Sequence, residues 1–129
     1  MFTTKNKVRL HDTDAMGILY YPQLFRFAQD ALEDYLESVA SPIAKVWNET
    51  PYFLPIVHVE SNYLQPLLLG DEITVTMQVE HVGETSITLL YHFIKEEKCM
   101  ANAKIVHVSV DKKTGKKCPI PDEVLKWCH

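Results

Sequence analysis

The sequence predicts an α+β fold in which one amphipathic helix lies against an antiparallel sheet. Residues 22–38 carry apolar side chains at helical spacing. Residues 72–82 and 85–95 alternate apolar with polar instead, and the turns joining them are too short for any but antiparallel neighbours. The order is a strand, one long helix and then four strands, with no internal repeat, so a single domain is expected over 1–129.

A first strand is expected over 3–10, with weak alternation. Residues 11–22, HDTDAMGILYYP, join polar turn formers and a glycine to aromatics and read as a loop entering a helix. Pro22 suits a first helical position, where its missing N–H costs nothing. Leu24, Ala28, Ala31 and Tyr35 fall at i, i+4, i+7 and i+11, and Phe25, Leu32 and Leu36 widen the stripe. Such a helix is about 24 Å long at 1.5 Å per residue. It should end before Ser41-Pro42, because a residue preceding proline resists helical geometry. Residues 41–52 connect, with room for one short helical turn.

A second strand is expected over 54–65, with Ile56, Val57, Val59 and Tyr63. Ile73, Val75, Met77 and Val79 share one face of the third strand, and Ile87, Leu89, Tyr91 and Phe93 one face of the fourth. A fifth strand follows over 100–111, then a basic turn at 112–117, and 122–128 is expected to add a terminal helical turn. Leu90, His92 and Ile94 lie opposite the Tyr91 face, and Val106, Val108 and Val110 lie opposite Ile105. Apolar residues on both faces predict that the second face is covered by another subunit.

The net charge of −4 and pI near 5.8 weigh against a nucleic-acid partner, which favours a basic surface. Lys112, Lys113, Lys116 and Lys117 read as a solvated hairpin turn around Thr114-Gly115. No apolar run approaches the ~20 residues that span a bilayer, and the opening MFTTKNKVRL lacks a signal peptide's apolar stretch. A cytoplasmic location with no membrane partner is the expectation. Cys99, Cys118 and Cys128 form no C-x-x-C pair, so free thiols are expected and neither a disulfide framework nor a zinc knuckle.

The chemistry-bearing segment is His11-Asp12-Thr13-Asp14-Ala15-Met16-Gly17-Ile18-Leu19-Tyr20-Tyr21-Pro22. It sets two carboxylates just upstream of a helix N-terminus, where unpaired N–H groups and a partial positive charge face outward. A developing oxyanion can be held there. A nearby carboxylate can attack a carbonyl or activate water that does. Gly17 permits close backbone approach. The same pattern also serves plain helix capping, since acidic residues before helices offset the dipole. His11-x-x-Asp14 has no further histidines at ligand spacing, so no metal site and no cofactor are expected.

HDTDAMGILYYPQLFRF resembles the signature of the 4-hydroxybenzoyl-CoA thioesterase-like branch of hotdog proteins, with Asp12, Asp14, Gly17, Ile18, Leu19, Tyr20 and Leu24 or Phe25 falling on it. Residues 54–75 are similar to that family's central strand pair and 103–124 to its last strand and proline-containing tail. The resemblance implies a hotdog fold, a curved antiparallel sheet wrapped around one long helix. It implies homodimers or homotetramers with active sites at the dimer interface, and an acyl-CoA substrate. It carries the catalytic carboxylate over to Asp14, as nucleophile or general base, and the backbone N–H that polarises the thioester carbonyl to Tyr21. Tyr21-Pro22 stands where short-chain acyl members carry histidine, and is similar to the aromatic-acyl branch, which implies an aromatic or bulky acyl group such as hydroxybenzoyl or dihydroxynaphthoyl. The turn His81–Thr85 lacks the basic residues that some members use to grip CoA phosphates, so the nucleotide contact differs or the carrier is a protein-bound pantetheine.

Tyr20, Phe25, His58 and Glu60 are the further substrate-binding candidates. His58, Glu60 and Asn62 alternate on one face of a strand that, in the resembled fold, passes the active site. Trp47 is a candidate for the substrate entrance, whereas His81, His92 and His107 read as core or subunit-interface histidines. Two other functions fit the same fold: a hydratase or dehydratase on acyl thioesters, which would need a histidine-centred motif, and a non-catalytic acyl-thioester binding module.

Overall fold

The computed structural model describes residues 1–127; Cys128 and the end of the expected terminal turn lie outside the described residues. The strands are β1 (Phe2–Lys7), β2 (Tyr52–Phe53), β3 (Ile56–Tyr63), β4 (Glu72–Val82), β5 (Ser86–Lys95), β6 (Lys98–Val108) and β7 (Val110–Asp111). The helices are α1 (Gln23–Ser38), α2 (Ile43–Glu49) and α3 (Asp122–Leu125). Five strands form one antiparallel sheet in the order β1-β4-β5-β6-β3, and β2 pairs with β7 in a separate two-stranded ribbon.

Alternation decides which side chains meet. On β5, Ile87, Leu89, Tyr91 and Phe93 are buried while their neighbours are half-buried. Ile73, Val75 and Met77 of β4 and Ala101, Ala103 and Ile105 of β6 join them on the same face. Across that face lies α1, burying Leu24, Phe27, Ala28, Ala31, Leu32 and Leu36. Full burial of each large apolar side chain contributes roughly 1.5–3 kcal/mol. Phe27, off the expected stripe, is wholly buried, whereas Phe25 is only half-buried against the same core. The helix ends when Ala40 turns to φ +57° ahead of Ser41-Pro42.

Three expectations are refined. The connecting segment holds the seven-residue α2 rather than a single turn. Its end forms β2, which a two-residue strand is too short to announce. The expected fifth strand is interrupted at the buried Ser109 and resumes as β7 to pair with β2. The outer face of the sheet is half-covered: Leu90, His92, Ile94 and Val106 are all intermediate in exposure. β3 is an edge strand that exposes Ile56, Val57, Val59 and Tyr63. A row of unpaired backbone groups flanked by apolar side chains is a ready template for a second strand.

Candidate active site

The segment between β1 and α1 is built around Asp12. Its carboxylate is wholly buried and receives a forked contact from Arg26 of α1, from Nε at 3.0 Å and from Nη2 at 2.8 and 2.9 Å. The Arg9 N–H donates to Oδ2 at 2.8 Å, closing a short 3-10 turn over Leu10–Asp12. Arg26 also donates to Asp30 at 2.8 Å, and Asp30 accepts from Asn6 of β1 at 2.9 Å. A planar fork on a buried carboxylate fixes orientation as well as energy. The network ties β1, the loop and the first turns of α1 into one unit.

Beyond Asp12 the chain doubles back on itself. Thr13 faces Leu19, the Asp14 N–H donates to the Ile18 carbonyl at 2.9 Å, and the Gly17 N–H donates to the Asp14 carbonyl at 3.1 Å. Gly17 sits at φ +73°, the left-handed region that a side chain resists. No atom lies within 4 Å of the position a Cβ would take there, so the visible requirement for glycine is the turn and not a close neighbour. Asp14 Oδ1 accepts the Met16 N–H at 2.8 Å and the Ile18 N–H at 3.2 Å. Its other oxygen, Oδ2, has no partner among the described residues, and the side chain is exposed. One acid of the pair is therefore committed to structure, and the other is held by one oxygen with the second presented.

The start of α1 completes the arrangement. The Gln23, Leu24 and Phe25 N–H groups already donate, to the carbonyls of Tyr20, Tyr21 and Pro22. Pro22 has no N–H. The Tyr21 N–H is left without a partner among the described residues. The Tyr63 hydroxyl, from the end of β3, donates to the Tyr21 carbonyl and ties the following Tyr21–Pro22 peptide to the sheet edge. Tyr21 and Tyr63, with Ile18 and residues 64–67, line an open depression of about 340 Å³. Ile18, which lines the depression, is hydrogen-bonded to Asp14 in both directions, so Asp14 is tied to one of the lining residues. An unpaired carboxylate oxygen and an unpaired backbone N–H are the two kinds of group that address the carbon and the oxygen of a carbonyl group.

The remaining candidates divide. Tyr20 is exposed and stacks edge-on against Tyr21 at 5.3 Å. Phe25, in the first turn of α1, is half-buried against the core and does not line the depression. His58 and Glu60 are not brought to the site within this chain. On β3, Val59, Ser61 and Tyr63 oppose Ile105, Ala103 and Ala101 on the α1 side, which turns His58, Glu60 and Asn62 to the outer face. Their alternation was legible; the face they occupy depends on register with β6. There His58 lies 3.9 Å from Glu60, both exposed. Tyr63 and Arg26 are the site residues that sequence reasoning passed over. Their partners lie 42 and 14 residues away, beyond any local pattern.

A second cavity, of about 270 Å³, opens at the opposite end of the α1–β3 seam. Gln29, Leu32 and Leu36 of α1, Val46 and Trp47 of α2, Tyr52 to Ile56, and Trp127 wall it, with His107 of β6. His107 is 5% exposed, and its Nδ1 lies 2.9 Å from the Leu54 carbonyl. Burial pushes its pKa below the usual histidine value, against a smaller opposing effect of that hydrogen bond. Trp47 is exposed at the mouth, packed against Phe53 at 5.6 Å. Lys112 lies over the Phe53 ring and donates to the Trp47 carbonyl. Among the described residues no cluster of His, Cys, Asp and Glu is arranged to hold a metal ion, and no helix is long and apolar enough to cross a membrane.

A family model described as the thioesterase-like superfamily matches residues 8–128. A 1,4-dihydroxy-2-naphthoyl-CoA hydrolase of Prochlorococcus marinus (strain NATL2A) is 32% identical over 132 residues, covering 97% of this chain and 85% of the relative. The crystal structure of a 1,4-dihydroxy-2-naphthoyl-CoA thioesterase from Synechocystis superposes with a TM-score of 0.88 at 25% identity, covering 96% of this chain and 92% of that one. A gentisyl-coenzyme A thioesterase structure superposes with a TM-score of 0.85 at 27% identity, covering 96% of this chain and 99% of that one.

Proposed function

The chain belongs to the thioesterase-like superfamily, and from that premise we propose that it hydrolyses an acyl-CoA thioester carrying an aromatic acyl group, with Asp14 as the catalytic carboxylate. The observation that carries this reading is the division of labour between the two acids. Asp12 is spent on Arg26, while Asp14 keeps an unpartnered Oδ2 and the Tyr21 N–H at the start of α1 is unpaired among the described residues. The fold likeness to thioesterases for dihydroxynaphthoyl-CoA and gentisyl-CoA supports the aromatic acyl group.

The thioester carbonyl oxygen takes a hydrogen bond from the Tyr21 N–H. As the carbon becomes tetrahedral, charge grows on that oxygen and the bond strengthens, which lowers the barrier. The new bond to carbon is made by Asp14 Oδ2 itself or by a water that Oδ2 deprotonates. The C–S bond then breaks and the CoA thiolate leaves, to be protonated. In the first route a mixed anhydride forms, and water cleaves it. Label found in Asp14 after a single turnover in ¹⁸O-water would establish the anhydride route, opened by water at the Asp14 carbonyl. Met16 and Ile18, by holding Oδ1, aim Oδ2 in either route.

The proposed form is a cytoplasmic homodimer or homotetramer, built by antiparallel pairing of β3 edges. The exposed apolar edge of β3 supports the pairing, and the free thiols Cys99 and Cys118 are compatible with a reducing compartment. The deciding experiment is thiol release from aromatic CoA esters by wild type and Asp14→Asn. The variant should keep the wild-type melting curve and lose at least 10²–10³ in kcat, the range set by comparable losses at such sites. Full activity in Asp14→Asn sinks the assignment.

A further inference from the structure

The apolar cavity at the far end of the seam carries one polar atom that the hydrolytic chemistry does not use. The Leu54 carbonyl can only accept, so the 2.9 Å contact requires the proton on His107 Nδ1. Nε2 then bears a lone pair. It has no partner among the described residues, yet no buried side-chain nitrogen there is unsatisfied, so Nε2 reaches open space, and the space His107 lines is this cavity. Burial of the ring lowers its pKa and keeps the lone pair at neutral pH. Gln29 also lines the cavity; its amide donates to Glu33 at 3.2 Å, which leaves its carbonyl oxygen without a partner among the described residues. Otherwise the lining is apolar and aromatic. Such a cavity fits a flat apolar ring that carries a hydrogen-bond donor.

Its position relative to the reacting atoms follows from β3. The cavity sits at the Ile56 end of that strand, and Tyr63, bonded to Tyr21, ends the other. Antiparallel pairing of two β3 edges about a dyad sets the Tyr63 end of one protomer beside the Ile56 end of its partner. The open depression at Tyr21 and the partner's apolar cavity then become adjoining halves of one cleft.

We propose that this cavity seats the aromatic ring of the acyl group and that His107 Nε2 accepts a hydrogen bond from a ring hydroxyl remote from the thioester. The proposal rests on the thioesterase reading above and adds the residue that selects the substrate. Without the hydroxyl, a buried acceptor is left unpaired, and sites of that kind discriminate against the deoxy analogue.

The test compares kcat/KM for 1,4-dihydroxy-2-naphthoyl-CoA and 1-hydroxy-2-naphthoyl-CoA, which differ only in the remote hydroxyl. Wild type should prefer the first by about 10–100-fold. His107→Asn offers Leu54 a donor in place of Nδ1–H but lacks Nε2. It should bring the ratio near one by losing rate on the dihydroxy ester alone. No preference in wild type, or an undiminished preference in His107→Asn, overturns the proposal. Should His107→Asn fail to fold, Trp47→Ala at the exposed mouth reads the same cavity: it should raise KM for both esters with kcat kept, and an unchanged KM overturns the assignment. If wild type releases thiol from neither ester, it is the thioesterase reading that falls. Calorimetry with the two free naphthoic acids then decides the cavity separately. Selective binding of the dihydroxy acid that is lost in His107→Asn supports it, and equal binding of the two acids overturns it.

Discussion

The two ends of the α1–β3 seam are built from opposite materials. At the Tyr21 end, polar backbone groups and one carboxylate oxygen stand open to solvent, held by a dense hydrogen-bond network one layer below. At the Ile56 end, aromatic and aliphatic side chains enclose a space with little polar lining beyond His107 and Gln29. On the proposed reading, the difference follows from what each end does. Bond making needs groups whose charge is met by the substrate, and such groups must be left unpaired in the free protein. Ring recognition needs water excluded, which only apolar walls provide. The first end is therefore stabilised from beneath, by Asp12 and Arg26, because its own surface cannot contribute packing.

The contrast can be broken at several points. The largest effect is expected where the two ends depend on one another. Val59→Asp places a charge on the exposed α1-facing side of β3. It should split the proposed dimer in sedimentation velocity and reduce thiol release by at least about 10²-fold, comparable to losing an oxyanion donor. A monomer with wild-type activity would show that each end works alone.

Next comes the support beneath the open end. Asp12→Ala removes the forked partner of Arg26, leaving it only Asp30, and frees the Arg9 N–H. Breaking a buried pair costs about 3–5 kcal/mol, but Arg26 is 34% exposed and keeps some hydration, so about 2–3 kcal/mol is expected in urea unfolding. Asp14→Asn should leave that midpoint unmoved. If the two substitutions destabilise equally, the distinction between a structural and a chemical acid fails.

The smallest effect concerns pH at the apolar end. His107 is held below its unfolded pKa by burial, so the unfolded chain binds the extra proton first. Stability should be constant well above pH 6.5, the ordinary histidine value, and should decline as pH falls below it. In His107→Asn that part of the decline should vanish, read as the difference between the two urea-midpoint profiles. Parallel profiles from pH 7.5 to 5 would mean that His107 is not the proton acceptor.

The alternation of Ile87, Leu89, Tyr91 and Phe93 and the stripe Leu24, Ala28, Ala31 already placed the sheet's buried face and the helix. Those periods are properties of the backbone geometry itself, so any window of the sequence displays them. Helix entry at Pro22 was legible from proline's missing N–H, whereas the Tyr21 N–H was implied only by the family resemblance. Other features depended on contacts made across the fold. Asp12 and Asp14 are chemically identical in sequence, and the fork from Arg26, on a different element, is what separates their roles. His58 and Glu60 alternate correctly but face outward, because pairing with β6 sets the side and a one-residue slip would reverse it.

The sequence by itself determined the long helix, the main strands, most of the core and the segment proposed to carry the chemistry, since local periodicity, turn residues and helix-start signals act over a few residues. Only the tertiary structure decided which carboxylate is free, that Tyr63 pins the helix start, and that His107 opens into a cavity. Burial and hydrogen-bond partnership are properties of neighbours in space, and those neighbours come from residues tens of positions apart.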